Sequence, residues 1–336
     1  MLLEVRDLVI EYRATRGRVR AVDRISFDVP AGAVVGVVGE SGCGKTTAVR
    51  AITRVMPASA VFAGGSITLD GTDLVSLSER EMKKRLWRDI AYVPQSAMNA
   101  LDPVWRVGHQ IEEVLVDRGG MGRRAARARA EELFAMVGLE GKRLHDYPHQ
   151  FSGGMRQRAS IALALALEPQ LVIADEPVTA LDVVIQRQVL DTFNELQKRL
   201  NLSVILVTHD ISVVAYVCDY VVVMYAGKVV EAGPVADVLA EPSHPYTMGL
   251  YNAFPELAGD ERDLSPIEGS PPDLLHPPEG CRFRQRCPFA TGACHTEPPE
   301  IDVGAGHRAL CHRAGEAPAL RTEARRAETW VGVTTE

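Results

Sequence analysis

The stretch from Gly39 to Thr47 carries Gly39, Gly42 and Gly44 and then, at once, Lys45, Thr46 and Thr47. It leaves an apolar, β-branched run, Val34 to Val38, and opens onto a helix-like segment from Ala48, so the order is strand, glycine loop, helix. Such a loop cradles phosphates. Glycines let the backbone take positive φ and turn its N–H groups inward, and the N-terminus of the next helix adds the positive end of its dipole. Lys45 reaches the β- and γ-phosphates and the Thr46 hydroxyl ligates Mg²⁺. The expected nucleotide contacts are therefore Gly39, Ser41, Gly42, Cys43, Gly44, Lys45, Thr46 and Thr47.

Four polar residues follow apolar strand-like runs: Gln95 after Ile90 to Val93, Asp175 and Glu176 after Leu171 to Ala174, and His209 after Val204 to Val207. In a parallel sheet these ends gather on one edge, where ligands bind in open α/β folds. Hydrolysis of a γ-phosphate needs a metal and a group to orient and deprotonate the attacking water. Thr46 and Gln95 would hold Mg²⁺, with Asp175 in the outer sphere; Glu176 is the natural base, and His209 can hydrogen-bond the γ-phosphate and the water. Tyr12, at a strand end, either stacks on the nucleotide base or packs as an ordinary strand aromatic.

Several elements must position these groups. Residues 2 to 12 alternate apolar and polar in the manner of a half-buried strand, and a basic loop from Arg13 to Arg20 leads to a strand from Ile25 to Val29. Ser66 to Asp70 adds another, giving a small sheet near the nucleotide. Between Ser96 and Ala164 the period becomes helical, over Gln110 to Val116, Ala125 to Met136 and Met155 to Ala166, which marks a helical insertion. A helix from Val184 to Leu200 and a hairpin across Ala226 and Gly227 complete the body.

The net charge is -7, which argues against a nucleic-acid binder, and the cluster Arg123, Arg124, Arg127 and Arg129 suits a solvated helix face. No segment approaches the roughly 18 to 20 uninterrupted apolar residues of a membrane span; Asp219 breaks the best one, Val213 to Met224. The expected location is cytoplasmic. Half of the 20 prolines lie at or after Pro255, and Pro271, Pro272, Pro277 and Pro278 mark an extended linker. The last ~20 residues lack apolar period and are expected to fray.

Phe151, Ser152, Gly153, Gly154 and Met155 resemble the signature sequence of ATP-binding cassette (ABC) proteins, Ala180, Leu181 and Asp182 the D-loop, Gln95 the Q-loop glutamine and His209 the switch histidine. The resemblance implies an α/β fold: a P-loop nucleotide-binding domain over residues 1–240, with an antiparallel β subdomain and a helical subdomain at about 96–165. It implies that Ser152, Gly153, Gly154, Met155 and Asp182 contact ATP held by a second subunit. Ser152 is placed to cap the following helix, whose bare N-terminus approaches that phosphate.

The C-terminal part, with His244, Pro245 and Tyr246 and then Cys281 and Cys287, is similar to the extension of the oligopeptide, dipeptide and nickel importer ATPases, here over 241–312, with a flexible tail over 313–336. The form with Met155 resembles the D-type subunit. What this implies is a translocase motor on the cytoplasmic face of the membrane, with two permease subunits, a second ATPase of F type and an extracytoplasmic solute-binding protein, most readily for di- and oligopeptides. A nickel or other solute importer is the alternative. A soluble ABC ATPase of translation or repair is disfavoured, since such proteins carry fused cassettes or a coiled-coil insertion.

Cys281, Cys287, Cys294 and Cys311 lie within 31 residues, in a spacing that matches neither ferredoxin runs nor zinc knuckles. Resemblance implies a 4Fe-4S cluster in some relatives; zinc and free thiols stay open, with His295, His307 and His312 as substitute ligands. Cys43, within the phosphate loop, is expected to make ATP binding sensitive to bulky thiol reagents.

Overall fold

The computed structural model describes residues 1–15, 17–95, 100–179, 181–252, 266–304 and 306–332. Among the described residues, twelve strands run in chain order: β1 Leu3–Ala14, β2 Gly17–Val29, β3 Val34–Val38, β4 Ala60–Leu69, β5 Thr72–Asp73, β6 Ile90–Val93, β7 Leu171–Asp175, β8 Ser203–Thr208, β9 Tyr220–Tyr225, β10 Lys228–Pro234, β11 Glu300–Gly304 and β12 His307–Leu310. The α-helices are α1 Lys45–Thr53, α2 Glu79–Arg85, α3 Val107–Glu113, α4 Arg123–Met136, α5 Gly153–Ala164, α6 Val183–Leu200, α7 Ile211–Val217, α8 Val235–Ala240, α9 Pro245–Asn252 and α10 Ala317–Ala324. The chain divides into two compact units.

One unit comprises Leu3–Asp28, Val35–Val75 and Thr208–Glu336. Its first layer is an antiparallel sheet in the order β2-β1-β4-β5. Strand β1 alternates buried and half-exposed residues as a one-sided strand must. The basic loop expected up to Arg20 is shorter than that, because β2 already begins at Gly17. The second layer holds β3 parallel to β9, then β10 and β12 antiparallel in turn, with β11 outside. All five residues of β3 are buried, which explains why it is valine at every position but Gly36.

Strands β11 and β12 and helix α10 were not legible as elements. Residues 266–280 form only turns and bends, in keeping with the prolines there. The tail expected to fray from residue 313 instead forms α10 and ends on Trp330, 1% exposed, whose indole N–H donates to the Ala324 carbonyl at 2.7 Å. Alanines make most of the buried face of α10, so an apolar-period count passes over it. Phe283, Phe289, Tyr246, Tyr225 and Trp330 share one core.

The other unit comprises Met1–Leu2, Val29–Val34 and Ser76–Val207. Parallel strands β6, β7 and β8 lie side by side, β7 and β8 wholly buried. The helical insertion is present as α3, running into a π turn at Val114–Arg118, then α4 and α5. Residues 96–99, its expected start, lie outside the described residues. Helix α2 begins with a capping box, Ser78 with Glu81, in which each side chain accepts from the other residue's backbone N–H.

Candidate nucleotide-binding site

The glycine loop between β3 and α1 has the backbone its composition demands. Gly39, Gly42 and Gly44 lie at φ 155°, 79° and 103°. At Gly44 a Cβ would meet the Ala21 carbonyl oxygen at 2.3 Å, so no side chain fits. Helix α1 starts at Lys45 with no side-chain cap at Gly44, so the positive end of its dipole faces the loop. Lys45 is 5% exposed, and its Nζ donates to the carbonyls of Gly39 at 2.6 Å and Glu40 at 2.9 Å. Its charge thus rests on the loop's own carbonyl oxygens. Thr46 and Thr47 lie in the first turn of α1, Ser41 and Gly42 are exposed, and the Tyr12 hydroxyl lies 3.2 Å from Thr47 Oγ1. That contact brings Tyr12 to the same loop.

Cys43 overturns its expectation. It is 1% exposed, and burial pushes its thiol pKa up, against the opposing pull of Lys45. A buried protonated thiol is a poor nucleophile, so bulky reagents have neither access nor thiolate to attack.

In the other unit, Asp175 ends β7 fully buried and accepts from the Tyr92 hydroxyl at 2.8 Å. Glu176 follows at φ 48°, a left-handed conformation that costs a non-glycine residue of order 1 kcal/mol or more. Its N–H is tied to the Val207 carbonyl at 2.8 Å, which fixes the turn. Glu176 Oε2 accepts from the Gln95 amide at 2.8 Å and the Thr179 hydroxyl at 3.0 Å. The structure therefore joins Gln95, Asp175 and Glu176 at the ends of β6 and β7. His209 follows β8, exposed, in the unit of the phosphate loop, beside Asp210, which caps α7 through Ser212 at 2.8 Å.

Ser152 caps α5 as expected, accepting from the Met155 N–H at 3.3 Å, and Asp182 caps α6 by accepting from the Ile185 N–H at 3.0 Å. Gly153 and Met155 lie in the first turn of α5, half-exposed. Gly154 has a second duty. A Cβ there would stand 2.4 Å from Ile185 Cγ2, so the glycine lets α5 close on the first turn of α6. Ala180 lies outside the described residues.

Residues 22–179 match the family model for ABC transporters, and residues 230–294 match the model for the oligopeptide/dipeptide transporter C-terminal region. The chain is 46% identical to the dipeptide transport ATP-binding protein DppD of Bacillus subtilis, over 87% of this chain and 88% of the relative. With the oligopeptide transport ATP-binding protein OppD of Escherichia coli the identity is 41%, over 94% of each. This chain is an ABC transporter ATP-binding protein of the oligopeptide/dipeptide family. Among solved structures it is similar to a dimeric ATP-binding cassette in a post-hydrolysis state bound to ADP and Pi, at 26% identity, a TM-score of 0.62 and coverage of 69% of this chain and 98% of that one.

Several residues of this ABC ATPase that the sequence reading missed surround its phosphate loop. Arg286 forks onto the Glu40 carboxylate at 2.7 and 3.0 Å, and the Tyr246 hydroxyl accepts from the Glu40 N–H at 2.9 Å. Arg282 binds Asp23 and the Ala226 carbonyl. Asp23 is buried, which by itself would raise its pKa, but Lys228, Arg282 and Arg20 outweigh burial and hold it below the usual carboxylate range. No local sequence signal links residues so far apart.

Cys281, Cys287, Cys294 and Cys311 line one cavity together with His244, Phe283, Phe289 and His312. Burial pushes the Cys281 thiol up to about 11 and raises Cys287 and Cys311 as well. Among the described residues no three His, Cys, Asp or Glu side chains converge on a point suited to a single metal ion, so the expected iron–sulfur site finds no support as a metal centre of that kind. Of the substitute histidines, His312 lines the cavity, and all three have partners of their own. His307 meets Glu231 at 2.7 Å, His295 meets Arg284 at 3.0 Å and His312 donates to the Thr296 carbonyl at 3.1 Å.

Proposed function

We propose that this chain powers import of di- and oligopeptides by hydrolysing ATP. The observation that carries the reading is the match to dipeptide and oligopeptide transport ATP-binding proteins over about nine-tenths of the chain, the C-terminal extension included. ATP binding shifts Lys45 from the Gly39 and Glu40 carbonyls to the β- and γ-phosphates. Thr46 would hold Mg²⁺, with Gln95 contributing and Asp175 acting in its outer sphere; such an ion supplies charge neutralisation for the phosphoryl oxygens. Gln95 then leaves Glu176, whose carboxylate takes a proton from water, while His209 steadies the γ-phosphate. Tyr12 stacks on the adenine. Ser152, Gly153, Gly154, Met155 and Asp182 address the ATP of a second ATPase, a distinct F-type chain. Two permease subunits anchor the pair at the cytoplasmic face of the membrane, and an extracytoplasmic binding protein delivers the peptide.

The test replaces the native chain by Glu176→Gln in cells and follows labelled dipeptides, oligopeptides and nickel. The variant binds ATP, loses at least ~10²-fold in turnover as expected for a missing general base, and abolishes peptide uptake. Loss of nickel uptake alone would move the protein to the metal branch. Intact uptake with failing translation or repair would establish a soluble ATPase instead.

We infer further that the four cysteines hold a 4Fe-4S cluster. Four thiols line one cavity, the ligand type and number that such a cluster takes, one thiolate at each iron. Backbone N–H groups already aim at sulfur, from Thr291 to Cys294 and from Arg313 to Cys311. The group would cross-link turns with little core of their own. Anaerobic purification should give brown protein with about four irons and four sulfides per chain. Colourless, iron-free protein that folds normally overturns this assignment.

A further inference from the structure

Residue 40 is the only carboxylate between Gly39 and Thr47. A bare negative charge in a loop built to receive a triphosphate opposes its ligand. The structure neutralises it from a distance. Arg286, 246 residues further along the chain, pairs with both Glu40 oxygens, and Tyr246, 206 residues along, accepts from the Glu40 N–H. The guanidinium is saturated: Nε donates to the Glu268 carbonyl at 2.9 Å, Nη2 also to the Ile267 carbonyl at 3.2 Å, and Nη1 also to the Tyr225 hydroxyl at 3.3 Å. The side chain is 7% exposed, so the fork acts where water screens it little. On the loop side, the Glu40 carbonyl accepts from Lys45 Nζ. Residue 40 is therefore gripped at its carboxylate and amide by the C-terminal extension and at its carbonyl by the phosphate-binding lysine.

We propose that Arg286 and Tyr246 are positioning residues for nucleotide binding: they cancel the Glu40 charge and hold its backbone where it sets the resting place of Lys45. The C-terminal extension thereby tunes ATP affinity in addition to folding. This rests on the assignment of Gly39 to Thr47 as the ATP site.

The experiment measures ATP affinity with a fluorescent analogue, steady-state ATPase kinetics and thermal unfolding, all on the full chain. Arg286→Ala should weaken ATP binding about tenfold or more, since it strands a carboxylate as well as removing a charge-assisted pair, with KM for ATP rising more than kcat falls. Glu40→Gln in the Arg286→Ala background should recover most of the affinity, because no charge is left to strand. A structural role alone would lower the unfolding temperature without that rescue, and overturns the proposal. Arg286→Lys, which keeps charge but not the fork, and Tyr246→Phe, which removes one hydroxyl, should each weaken ATP severalfold; wild-type affinity in both overturns it even if Arg286→Ala does not fold. Lys45→Ala separates the two readings: if it binds ATP as wild type does, the site assignment itself fails.

Discussion

Glu176 shows what a single residue position can disclose. Its place after an apolar strand marked it as the base, and the structure adds that its oxygen is occupied at rest by Gln95 and Thr179. Lys45, Asp175 and Gln95 were legible for the same reason: each is defined by its immediate neighbours along the chain. Arg286 was not, since its meaning lies in Glu40, and neither residue's surroundings in sequence mention the other. Gly154 falls between. The signature named it, but the reason for a glycine there is Ile185. Gly154→Ala should cost about 1–3 kcal/mol by overpacking, and Ile185→Ala in the same chain should return most of it. Denaturant unfolding of the single and double variants checks this; additive losses would mean the two side chains do not meet.

At the scale of elements, strands with buried valine runs and helices with clear period were readable, while two strands of the antiparallel sheet begin well before the residues expected, β2 at Gly17 and β4 at Ala60. Strands β11 and β12 were hidden because short strands among cysteines and prolines show no period worth counting, and α10 because alanine carries its packing. Helix α9 carries a pH dependence of its own. His244 precedes it, fully buried, with its Nδ1 accepting from the Tyr246 N–H, and burial depresses its pKa to about 3. The folded state therefore keeps it neutral while the unfolded chain protonates it below about 6.5. Its contribution to stability is intact above that value and is lost as pH falls toward 3, at up to about 1.4 kcal/mol per pH unit. His244→Asn, which retains an acceptor but no titration, should flatten the slope of unfolding free energy between pH 6.5 and 4; an unchanged slope would assign the effect to other groups.

For the whole molecule, the order of motifs from the phosphate loop to the switch histidine was enough to place the chain in its family, because that order is carried by types and spacing alone. What escaped was how far the last third is built into the unit that holds the phosphate loop. The pairing of β10 with β12, Glu231 opposite Ala309 and Ala232 opposite Arg308, carries one more consequence. Without β12, strand β10 would offer a row of unpaired N–H and C=O groups along its margin, an invitation to any other chain with a free strand. The C-terminal hairpin occupies that margin with the protein's own backbone and hands the edge to β11, only five residues long and carrying exposed Glu300 and Asp302, a short charged margin on which a second chain finds little to zip onto.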